Sequence, residues 1–138
     1  MRKIFSEILK EVAEAPEFED KVMLLQDPDN NSLMLRQLLV AGVDPKIKFD
    51  VDIPSYRENL EEDGYASNTL YVEVRRLYIF MEEYSVVSRA RKTALLGQIL
   101  EAIDRSDAPA LIDVINKDLA KYGITKELID AAYPGLIK

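Results

Sequence analysis

Five cations carry the strongest chemical suggestion in this 138-residue sequence: Arg75, Arg76, Arg89, Arg91 and Lys92. Arg75 and Arg76 fall outside the apolar stripe Leu70–Val74–Leu77–Met81. Arg89, Arg91 and Lys92 open the segment that follows, with Glu82 and Glu83 as the only intervening charges. Guanidinium forks match phosphate oxygens, and such contacts hold a duplex without reading its sequence. The same residues could equally be solvated helix faces, neutralised by neighbours such as Glu73 beside Arg76.

A second constellation is acidic. Glu58, Glu61, Glu62 and Asp63 lie in one stretch, and Glu11, Glu14, Glu17, Glu19 and Asp20 straddle an earlier junction. Such a face could dock a basic protein or mimic the phosphates of DNA; the plainer reading is solubility. Tyr56 and Tyr65 stand in the same stretch as the first group and complete a candidate protein-partner surface with Glu58, Glu61 and Glu62. Tyr78 and Tyr84 fall on the helical stripe and are expected in the core. Asp50 and Asp52 form a carboxylate pair, but nothing places them in an apolar cleft, so acid–base catalysis is not expected from them.

Composition excludes much else. The chain has no cysteine and no histidine, which removes disulfides, thiolate sites, imidazole bases and the usual zinc ligands. No calcium-loop spacing and no glycine-rich phosphate loop occurs, so neither a metal nor a small-molecule cofactor is expected. Formal charge is -7, against the expectation for a protein that coats nucleic acid. The first 65 residues hold 15 acidic and 8 basic side chains, whereas the remainder holds 10 of each. Charges interrupt the N-terminal apolar stretch, so no signal peptide is expected, and no run suits a membrane; a cytoplasmic protein is the expectation.

The elements that must position these groups are helical. Ile4, Phe5, Ile8, Leu9 and Val12 share one face, Phe18, Val22 and Leu25 another, and "DPDNN" offers Asn30 or Asn31 to cap a third helix carrying Leu35, Leu38 and Leu39 to Gly42. From 43 to 67 the periodicity fails, predicting a long irregular excursion with a strand-like piece at Ile47–Phe49. Asn68 or Thr69 caps a predicted long helix bearing Leu70, Val74, Leu77, Tyr78, Met81 and Tyr84. Ser88 starts the next, with Leu95, Leu96, Ile99, Leu100 and Ile103 inward. Asp107 is the expected cap of another, with Leu111, Ile112, Ile115 and Leu119 buried and Gly123 at its end. Thr125 caps a last helix that Pro134-Gly135 stops. The sum is a single all-α domain, a compact bundle of about seven helices.

The closing stretch, "LIDVINKDLAKYGITKELIDAAYPGLI", resembles the end of the N-terminal DNA-binding domain of phage ATP-dependent DNA ligases, at Asp118-Leu119, Gly123, Thr125 and Tyr133-Pro134-Gly135-Leu136-Ile137. "IFSEILKEV" and "GVDPKIKF" are similar to that domain's opening. The chain also resembles small uncharacterised proteins of large contractile-tailed phages, through "LYVEVRRLYIF" and the Pro-Gly-Leu-Ile closing. The ligase resemblance implies a helical module gripping duplex DNA through its backbone. Ligases carry a lysine nucleophile in Lys-x-Asp-Gly, and the only echo here is Glu61-Glu62-Asp63-Gly64, so no ligase activity is expected. The expectation is a non-enzymatic phage accessory protein of the infected bacterial cytoplasm that contacts duplex DNA through seven cations, Arg75, Arg76, Arg89, Arg91 and Lys92 together with Lys117 and Lys121. The alternatives are an acidic protein-interaction module, acting on a host or phage replication or transcription factor, and a virion or assembly component.

Overall fold

A computed structural model describes residues 3–138. Among them are seven α-helices: α1 (Phe5–Glu14), α2 (Phe18–Gln26), α3 (Leu33–Val43), α4 (Leu70–Glu73), α5 (Arg89–Ala102), α6 (Asp107–Ile115) and α7 (Lys126–Ala132). Two 3-10 helices, Val74–Phe80 and Leu119–Tyr122, complete the regular structure. The described residues form no sheet; one isolated antiparallel bridge joins Phe49 to Met81. The all-α class and the helix number match expectation. No described helix is long and apolar enough to cross a membrane. The chain divides into two compact units: one is built from the stretch up to Asp44 together with Asp113–Lys138, the other from Pro45–Ile112.

The first unit buries the faces that periodicity predicts in α1 and α3, but of the expected α2 face only Leu25 is buried, with Phe18 exposed and Val22 half-buried. Phe5, Ile8, Leu9 and Val12 of α1, Leu25 of α2, Leu35, Leu38 and Leu39 of α3, and Leu128 and Ile129 of α7 are its core. α2 packs on α1 and α7. The ends of α2 and α7 are tied reciprocally. The buried Tyr133 hydroxyl donates to the Leu25 carbonyl (2.6 Å), and Gln26 Nε2 donates to the Ala132 carbonyl (2.9 Å). The cap of α3 is Ser32, whose hydroxyl accepts from Leu35 N–H, rather than Asn30 or Asn31. Gly42 does not terminate α3, which runs to Val43. A Cβ there would lie 2.9 Å from Leu119 Cγ, so Gly42 is a packing glycine. Gly123, at φ 76, closes the second 3-10 helix and not α6.

The second unit corrects the central helix. Thr69 caps as expected, but the α-helix lasts one turn before tightening to 3-10 from Val74 to Phe80. With three residues per turn, residues i and i+3 eclipse. Val74, Leu77 and Phe80 therefore make the buried row, while Met81 ends the element in an extended conformation. Tyr78 is 51% exposed and Tyr84 half-buried, the reverse of their expected core positions. Backbone bonds from Asp50 N–H to the Phe80 carbonyl (2.8 Å) and from Glu82 N–H to the Lys48 carbonyl (2.7 Å) flank the Phe49–Met81 bridge. Ser88 caps α5, whose Leu96, Ile99 and Leu100 are buried; Leu95 is only half-buried. Asp107 lies inside α6; the Asp104 carbonyl accepts from Asp107 and Ala108 N–H at its start.

Candidate functional site

The irregular excursion is an ordered strap laid along α5. Asp52 N–H donates to the Thr93 hydroxyl (3.1 Å), and the Pro54 ring sits 3.4 Å from where a Cβ on Gly97 would be. Arg57 N–H donates to Glu101 Oε2 (2.8 Å), and Asn59 Nδ2 donates to the Ala102 carbonyl (3.2 Å). At its far end two carboxylates form a clasp. Buried Asp104 accepts from Gly64 N–H (2.7 Å) and Ala66 N–H (3.4 Å), and Asp63 accepts from the Ser106 hydroxyl and N–H. A carboxylate that accepts several donors holds a loop more firmly than neutral acceptors would.

Leu60 projects from this strap at 91% exposed, and Tyr65 at 66%. Glu58, Glu61 and Glu62 are exposed beside them and enter no ion pair among the described residues. Tyr56 is half-buried; burial, then the Glu58 charge, pushes its hydroxyl pKa up. The structure thus brings Glu58, Glu61, Glu62 and Tyr65 to one exposed stretch and leaves Tyr56 partly withdrawn. Leu60 was missed by sequence reasoning. A single leucine in an aperiodic segment gives no sign of its exposure.

The seven cations fare differently. Arg76 binds Glu73 through Nε (2.7 Å), as the plainer reading proposed. Arg89 bridges Asp50 and Asp52, reaching Asp52 Oδ1 at 2.8 Å. Its guanidinium holds the Asp52 carboxyl below the usual range. The Asp50–Asp52 pair is therefore an arginine clamp rather than an acid–base couple. Lys92 is 1% exposed and donates to the Met81 carbonyl at 2.8 Å, so it cannot reach a phosphate as placed. Lys121 pairs with Asp113 (2.6 Å) and Asp118 (3.5 Å), and the Asp113 bond raises its pKa. Lys117 adopts a left-handed backbone (φ 59) and donates to the carbonyls of Ala41 and Asp44 (3.0 Å to the latter) at the end of α3. A cation there satisfies carbonyls that the helix leaves unpaired. Burial lowers the Lys117 pKa, opposed by Asp44. Arg75 and Arg91 alone of the seven remain exposed without an ion pair among the described residues.

Elsewhere the second unit holds a small cleft of about 230 Å³ lined by Lys46, Ile47, Lys48, Met81, Glu82 and Glu83. Its mixed charges converge on no single chemistry. Among the described residues, no three carboxylates group as metal ligands. The chain belongs to a family of unknown function, DUF6433, whose profile matches residues 8–121. No curated protein and no solved structure matches it.

Proposed function

We propose that this member of DUF6433 is a non-enzymatic interaction module that docks a basic protein on its acidic strap. One observation carries the reading. Five of the seven candidate DNA-binding cations are paired, buried or capping a helix, whereas Glu58, Glu61 and Glu62 stand in solvent without partners. A phosphate approaching Arg76, Arg89 or Lys121 would meet their carboxylates within a few ångströms, well inside a Debye length of ~8 Å. The formal charge of -7 acts in the same direction, drawing cationic partners and repelling polyanions. Because the strap is pinned at several points along α5, binding would cost little ordering entropy.

Duplex DNA is the second reading. It rests on the ligase resemblance and on Arg75 and Arg91, which are free to contact phosphate. We place both readings in the infected bacterial cytoplasm, on the resemblance to phage proteins alone.

A photo-reactive side chain at position 60 tests the first. It should cross-link to a basic protein in host extract, and Glu58→Lys, Glu61→Lys and Glu62→Lys together should abolish the product. Arg75→Glu with Arg91→Glu should leave it intact. An undiminished product in the strap variant removes the strap from the account.

A further inference from the structure

The 3-10 geometry creates a surface that no helical stripe would have shown. Arg75 and Tyr78 are three apart in the 3-10 helix and share an exposed row beside the buried Val74–Leu77–Phe80 row, and Val72 is exposed one turn earlier in α4. Val72 is 47% exposed, and Tyr78 packs edge-on against Tyr84, with ring centroids 5.2 Å apart and planes at 89°. Arg75, between them in sequence, is exposed without an ion pair among the described residues. The row therefore presents apolar contact, an aromatic pair and one uncompensated positive charge.

Within the same unit the strap presents the converse: an exposed leucine and tyrosine among uncompensated carboxylates. Each surface lacks what the other supplies. We infer that the Val72–Arg75–Tyr78 face receives the Leu60 end of the strap from a second copy of the chain. Arg75 meets Glu61 or Glu62, and Leu60 packs on Tyr78. A two-fold axis that makes both contacts together gives a closed dimer. Mutual repulsion between two acidic chains is screened at physiological salt, where contact pairs persist. The inference rests on the strap being a docking element. It adds that self-association and the basic partner compete for the strap.

Sedimentation equilibrium over a concentration series tests it with whole chains. The native chain should show a reversible monomer–dimer equilibrium. Arg75→Glu alone, and Glu61→Arg with Glu62→Arg, should each weaken it by about tenfold or more, as expected for losing a charge pair worth ~1.4 kcal/mol. Mixing the two variants should restore dimer, because every interfacial pair is again of opposite sign. The altered residues are exposed, and circular dichroism confirms that each variant folds. A native chain that remains monomeric, or variants that fail to rescue each other, overturns the dimer. Neither result touches the cross-link to a basic protein, so the two readings fail separately.

Discussion

Tyr122 and Tyr133 each hold a hydroxyl where ionisation is costly. Burial, then the bond from Tyr122 to Asp113, pushes the first to about 12; burial does the same for Tyr133, raising it to about 12. The unfolded value is about 10, so between ~10 and ~12 the unfolded chain has released protons that the folded chain keeps. Stability from both groups is thus intact below ~10 and lost as pH rises through ~12. An absorbance titration of the native chain should show late ionisation near 12, and Tyr133→Phe should remove one late step. Uniform titration near the ordinary tyrosine value would contradict this. Gly42→Ala should also destabilise, by ~1–3 kcal/mol in a denaturant midpoint, because its methyl must displace the buried Leu119. Such residue roles are poorly legible in sequence. Lys117 reaches carbonyls at Ala41 and Asp44, and Arg89 reaches Asp50 and Asp52, partners that no local pattern could supply. Glu73 with Arg76, three apart, was legible because a helix brings such neighbours together.

The element that departs most from periodicity is the helix after Thr69. Read at 3.6 residues per turn, its apolar positions put Tyr78 and Tyr84 inward. At three per turn, the buried row is Val74, Leu77 and Phe80. Both periods fit Val74 and Leu77, three apart, so the sequence leaves them unresolved until Phe80. Substitution separates them. Phe80→Ala should cost ~3–5 kcal/mol as a buried ring is lost, whereas Tyr78→Ala should cost under ~1 kcal/mol. Equal losses in thermal or denaturant unfolding would favour the longer α-helix. The strap shows the opposite case. Its lack of period correctly marked it as irregular, but its order comes from Asp104, Glu101 and Thr93, some forty residues away in the chain.

At the scale of the molecule, the proposal of a basic protein partner rests on charge. The acidic excess lies in the first 65 residues, and the strap within them keeps three carboxylates unpaired. Among the cations of the second half, Arg76, Arg89 and Lys121 are engaged by neighbouring carboxylates, whereas Arg75, Arg91 and Arg105 are exposed without an ion pair among the described residues. A sequence count sees equal charges in that half; only geometry distinguishes a cation that is available from one that is engaged. The proposal that this chain acts through its carboxylates and not through phosphate contacts is open to one direct measurement. Fluorescence anisotropy of labelled nicked and intact duplexes should show no saturable binding even at ~50 mM salt, where counterion release favours any phosphate-binding protein most. Saturable binding that falls steeply with added salt, and that disappears in Arg75→Glu with Arg91→Glu, would contradict it and restore duplex DNA as the ligand.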